Sequence, residues 1–92
     1  MKMKSSEDKI TEMSNSVRDL LLSKNRAYGD SALSPVAIFG NSDAVISLTA
    51  RIDDKLMRIK NRGINSDTED TISDLIGYLI LLKIAINDAN QK

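Results

Sequence analysis

Three stretches of about twenty residues each carry aliphatic side chains at intervals of three and four, and this spacing constrains the fold more than any other feature. In the first, from Ser6 to Ala27, Ile10, Met13, Val17, Leu20 and Leu21 fall on one stripe that Lys24 extends. Ser5 or Ser6 offers an N-cap, Glu7 and Asp8 suit the positive end of the dipole, and Tyr28-Gly29-Asp30 ends the pattern. The second runs from about Ser42 to Asn61 through Val45, Leu48, Ile52, Leu56 and Ile59, with Gly63 as its C-terminal cap. The third opens at Ser66-Asp67-Thr68-Glu69, which reads as a capping box between Ser66 and Glu69. It reaches about Asp88 through Ile72, Leu75, Ile76, Leu79, Leu82 and Ile86. Between the first two, Ser34-Pro35 fits the start of a short helix closing at Gly40, anchored by Val36, Ile38 and Phe39. The expected fold is all-α: one domain over residues 1–92, three long helices plus a short connecting helix, with residues 1–5 a tail and 89–92 frayed.

Composition agrees, since 41% apolar with only 3% aromatic, four Gly and one Pro suits helices better than a sandwich or barrel. The third helix changes character halfway. Beyond Ile76, the side chains Ile80, Leu81 and Ile84 fill the side opposite the main stripe, so little polar surface is left. A helix apolar all round needs cover on all sides. Two other helices supply only part of it, which predicts either a central position or self-association through Ile80, Leu81 and Ile84; the alternative is an apolar patch tolerated by a monomer.

Charge and residue inventory exclude several chemistries. Thirteen Lys and Arg balance thirteen Asp and Glu, so general nucleic-acid binding, which depends on uncompensated cations, is not expected. Without Cys or His there is no thiolate or imidazole zinc site, no disulfide and no Ser-His-Asp triad. No apolar run is long enough for a bilayer, and Met1-Lys-Met-Lys leads into Ser-Ser-Glu-Asp, unlike a signal peptide. A soluble, cytoplasmic protein is the expectation.

Polar residues near the stripes mark a candidate site. Lys24 and Tyr28 lie on the apolar line of the first helix, where an ammonium must be paired, bind an anion, or snorkel to water. On the second helix Arg51, Lys55, Arg58 and Arg62 fill a band of about 60° beside the stripe, whereas Asp53 projects to the other flank. On the third, Asp67, Thr71, Asp74 and Tyr78 share a flank, and Asp70 and Asp74 point at one spot a turn long. Two readings stay open. The flanks form a salt-bridge network between helices, or the cations clamp phosphate, Tyr28 or Tyr78 packs on a base, and the carboxylates hold Mg²⁺ or a ribose hydroxyl.

The segment Lys24-Asn25-Arg26-Ala27-Tyr28-Gly29-Asp30-Ser31 resembles the K-N-x-x-Y-G-D-S opening of the phage-borne family called nucleotide modification associated domain 1. The similarity continues through Arg51-Ile52-Asp53-Asp54-Lys55-Leu56-Met57-Arg58 and through the acidic run Glu69 to Tyr78, covering about Leu21 to Ala85. The resemblance implies a phage or prophage protein associated with nucleotide modification, with no assigned activity. Its motif residues here are Lys24, Asn25, Tyr28, Gly29, Asp30, Ser31, Arg51, Asp53, Lys55, Arg58, Asp70, Asp74 and Tyr78. The acidic run also looks distantly like the MazG-like pyrophosphatases, which hold Mg²⁺ with carboxylate pairs from two facing helices. Here the second helix offers Arg51, Lys55 and Arg58 where the first acidic pair should lie. The combined expectation is a nucleotide or other phosphate-bearing ligand held by Lys24, Asn25, Tyr28, Asp30, Arg51, Lys55, Arg58 and Tyr78, with Asp70 and Asp74 as possible Mg²⁺ ligands. The rivals are a Mg²⁺-dependent nucleotide pyrophosphohydrolase and a structural or protein-interaction bundle.

Overall fold

Short-range capping chemistry sets the helix ends. In the computed structural model, which describes residues 3–29, 31–33 and 43–91, α1 (Ser6–Ala27) starts at a reciprocal box. The Asp8 amide donates to Ser5 Oγ at 3.1 Å and the Ser5 amide donates to Asp8 Oδ2 at 3.2 Å. Ser5 is thus part of the helix start and not of a tail. α1 ends at Tyr28, whose amide donates to the Lys24 carbonyl at 3.0 Å. α2 (Ala44–Arg62) begins two residues later than its periodicity suggests, because Asp43 is the cap and accepts the Ile46 amide at 3.2 Å. The connecting helix expected from Ser34 to Gly40, with its anchors, lies outside the described residues, as does Asp30.

The link between α2 and the last helix is built differently from the Ser66/Glu69 box. A 3₁₀ turn, Ser66–Thr68, precedes α3 (Glu69–Asn90), and the capping pair is Asn65 with Thr68. Asn65 Oδ1 accepts the Asp67 amide at 2.9 Å, and the Asn65 amide donates to Thr68 Oγ1 at 3.0 Å. Gly63 has φ of 80° and ψ of −173°, a backbone state reserved for glycine, and it reverses the chain. That reversal brings the Gly63 carbonyl to the Thr68 hydroxyl at 2.9 Å. Thr68 is fully buried and Glu69 exposed, so the hydroxyl that can be satisfied in the interior takes the capping role.

The fold is an all-α helical bundle with α3 in the middle. Among the described residues α2 and α1 each pack on α3, and α1 and α2 do not pack on each other. Lys55 of α2 meets Asp74 while Leu48 meets Leu81 and Ala85, so α2 and α3 run antiparallel. On the α1 side the close approach is at Gly77: a Cβ there would sit 3.3 Å from Leu21 Cδ1, tighter than ordinary contact. Leu48, Leu81 and Ala85 form the core cluster, with Leu21, Ala32, Leu33, Val45, Tyr78 and Leu82 packed around it. Full burial of Leu48 contributes about 1.5–3 kcal/mol.

This packing decides between the two places expected for Leu81, a central helix or a self-association face, in favour of the first. The line of α3 that is covered is Gly77, Leu81 and Ala85, together with Thr71, and Leu81 belongs to the protomer core. Ile76, Leu79 and Ile86, expected inside, are exposed, as are Ile80 and Ile84. The small residues decide the side, because only the face with Gly77 and Ala85 lets neighbouring backbones approach closely. Of the α1 stripe, Val17 is buried and Leu21 half-buried, but Ile10, Met13 and Leu20 are exposed. Among the described residues no helix is long and apolar enough to cross a membrane.

Candidate functional site

Where α1 crosses α3, the apolar stripe gives way to polar groups at the helix end. One turn beyond Leu21, Lys24 reaches over α3 and its Nζ lies 2.6 Å from Asp74 Oδ1. From α2, Lys55 Nζ lies 3.2 Å from Asp74 Oδ2. One carboxylate thus carries two ammonium groups from two different helices, one on each oxygen. Side-chain exposure is 45% for Lys24, 15% for Lys55 and 22% for Asp74, so the pair with Lys55 is the more sheltered. The Lys24 ammonium is held above its ordinary value of 10.5 by its hydrogen bond to Asp74, against a smaller opposing effect of burial. Burial is the largest single effect on the Asp74 carboxyl and pushes it up, but the hydrogen bonds from Lys24 and Lys55 and the positive charges of both together leave the group below its ordinary 3.8.

Beside this cluster, Tyr78 lies one helical turn after Asp74. The Arg51 guanidinium and the Lys55 ammonium are each 6.0 Å from its ring centroid, the outer limit for cation–π attraction. Asp74, Tyr78 and Arg51 border a recess whose apolar wall is Val17, Leu20, Leu21 and Leu81 and whose polar rim includes Lys24, Asn25, Tyr28, Ser31 and Ser73, with Lys55 behind Asp74 and outside the lining. Its cavity volume is about 80 Å³. That volume suits a small group such as a phosphate and lies below the roughly 300–1,000 Å³ of sites that enclose a whole small molecule.

The structure therefore brings together Lys24, Asn25, Tyr28, Arg51, Lys55, Asp74 and Tyr78, drawn from all three helices and the turn after α1. It does not bring Arg58 or Asp70 into the recess. Arg58 lies about one turn past Lys55 toward the Gly63 reversal, exposed and outside the lining, so it does not join Lys24 there. Asp70 and Asp53 are exposed as well. Ser73, Gly77 and the wall formed by Val17, Leu20 and Leu81 were not singled out by charge patterning. The signal for them was Gly77 alone, a helix-interior glycine that marks close approach.

The donor set does not fit Mg²⁺. Both oxygens of Asp74 are held by ammonium groups, and among the described residues no three acidic side chains gather as they would to hold a metal ion. What the arrangement offers is charge of the other sign. Lys24, Lys55 and Arg51 set against Asp74 leave the corner with a net positive charge among the described residues, next to an apolar wall and two tyrosines. No family model matches this chain, nor does any curated protein or solved structure.

Proposed function

We propose that the chain is a nucleotide-binding protein that takes the phosphate at the Lys24–Arg51 side of the recess and the base along its open apolar mouth. The observation that carries the reading is the Lys24–Asp74–Lys55 cluster: one carboxylate fixes two ammonium groups while neutralising only one of their charges. Arg51, on the Tyr78 ring, adds a planar donor fork suited to phosphate oxygens. Tyr78 has its cations already in place, so Tyr28, exposed at the rim, is the ring left for packing on a base. Asp74 acts as a positioning residue for the lysines. The motif resemblance supports the same reading and adds a setting, a phage-encoded protein of the host cytoplasm that serves nucleotide modification or sequesters a nucleotide.

Thermal denaturation across a panel of nucleotides and inorganic phosphate, with and without Mg²⁺, tests this. Ligand at a hundred times its dissociation constant adds about 2.7 kcal/mol, a large upward shift of the melting temperature for a domain this small. Arg51→Ala and Lys24→Ala should each remove most of the shift. No shift with any nucleotide at millimolar concentration refutes the reading and leaves the interaction bundle. Release of pyrophosphate from a nucleoside triphosphate, lost in Asp74→Asn, supports the hydrolase instead.

A further inference from the structure

Three hydrogen-bond donors line the recess with capacity to spare, one from each helix. The Lys24 ammonium carries three N–H groups and gives one to Asp74 Oδ1. The Arg51 guanidinium pairs with no carboxylate among the described residues and rests only beside the Tyr78 ring. On α3, Ser73 is half-buried in the lining, and its hydroxyl has no hydrogen-bond partner among the described residues. Of the described charges that line the recess, two are positive and one is negative. The negative one, Asp74, is already balanced from behind by Lys55, its more sheltered partner. Lys24 and Arg51 are therefore left facing the recess with about two uncompensated positive charges.

We propose, resting on the nucleotide reading above, that the ligand ends in a single phosphate monoester, as a nucleoside monophosphate does. Lys24, Arg51 and Ser73 hold its three terminal oxygens, and no Mg²⁺ takes part. Charge carries the choice. A phosphate monoester bears close to two negative charges near neutral pH, which Lys24 and Arg51 match. Beside the apolar wall of Val17, Leu20, Leu21 and Leu81 screening is weak, so any charge beyond that match is costly. A di- or triphosphate brings such excess and needs a further cation or a metal ion. Arg58 stands outside the lining, and both oxygens of Asp74 are already held by ammonium groups. Volume agrees with charge. At roughly 10–15 Å³ for each water-sized group, a cavity of about 80 Å³ takes one phosphate and not a chain of three. Ser73 supplies what the two cations lack, a short neutral donor from the third helix.

Isothermal titration calorimetry of the full chain tests this with the 5′-mono-, di- and triphosphates of adenosine, guanosine, cytidine, uridine and thymidine, each with and without Mg²⁺. For whichever base binds, the monophosphate should bind on the order of tenfold or more tightly than the triphosphate, because the excess charge is unmatched. Mg²⁺ should leave the monophosphate affinity unchanged. Ser73→Ala should weaken monophosphate binding about tenfold, the worth of one hydrogen bond to a charged group. The melting temperature of that variant without ligand should stay that of wild type, since the hydroxyl bonds to nothing within the described fold. A triphosphate that binds as tightly as the monophosphate, with or without Mg²⁺, overturns the proposal and leaves nucleotide binding standing. Full monophosphate affinity in Ser73→Ala overturns the three-donor cradle. Failure of every nucleotide to bind overturns both this proposal and the reading it rests on.

Discussion

Replacing Asp74 by Asn should destabilise the fold by about 1–2 kcal/mol near neutral pH, and that difference should shrink at both ends of the pH scale. The Lys24 pair is largely open to solvent and counts as an exposed salt bridge, about 0.2–1 kcal/mol. The Lys55 pair is more sheltered, and a hydrogen bond between charged groups there is worth up to about 1.5 kcal/mol. Asn keeps one oxygen to accept from one lysine, which holds the total near the stated range. For a domain this size the melting temperature falls by about 5–15 °C. The pH profile follows from the two shifts. Asp74 lies below its ordinary 3.8 in the fold, so its contribution is present above 3.8 and is lost as pH falls through the lowered value. Lys24 lies above its ordinary 10.5, so its share is present below 10.5 and is lost as pH rises through the raised value. The difference between wild type and Asp74→Asn is therefore flat between these limits and falls away outside them. Urea unfolding of both proteins at one protein concentration, followed by circular dichroism in steps of pH, measures it. Equal stabilities at neutral pH, or a gap unchanged well below 3.8, would refute the argument.

Two other substitutions probe the packing that places the site. Thr68→Val keeps the shape but strands the Asn65 amide and the Gly63 carbonyl, and should cost about 1–3 kcal/mol, with faster hydrogen exchange at the Asn65 amide. Gly77→Val puts a branched side chain where a Cβ alone already lies 3.3 Å from Leu21, so α1 is pushed outward at a cost of about 1–3 kcal/mol; limited trypsin digestion should then cut more readily at Lys24, and unchanged digestion would contradict the close approach.

The helices were legible because their signals are local. Ser6 to Ala27 is both the expected and the observed extent of α1, and Gly63 ends α2 where its position said it would. What periodicity left undetermined was which side of α3 faces inward. Aliphatic residues lie on nearly every side of that helix, so the hydrophobic pattern has almost no direction, and Leu81 and Ile80 look alike in sequence. The choice was made by Gly77 and Ala85, whose lack of bulk admits the other helices. For the site, the helical projections brought Lys24, Arg51, Lys55, Asp74 and Tyr78 to adjoining flanks, and the structure joins them. Arg58 and Asp70 share those angular positions but lie at other heights along their axes, a coordinate that a wheel projection discards. The Asn65–Thr68 cap was hidden for another reason: Ser66-x-x-Glu69 matches the familiar pattern, and burial of one hydroxyl overrode it.

Among the described residues α1 packs on α3 and not on α2, so the molecule has a seam, and the contacts of Leu48 with Leu81 and Ala85 lie wholly on the side of the α2–α3 hairpin. Lys24 stands on one side of that seam and Arg51 on the other. A ligand gripped by both would bridge the seam, and its binding free energy would add to the hold of α1 on α3.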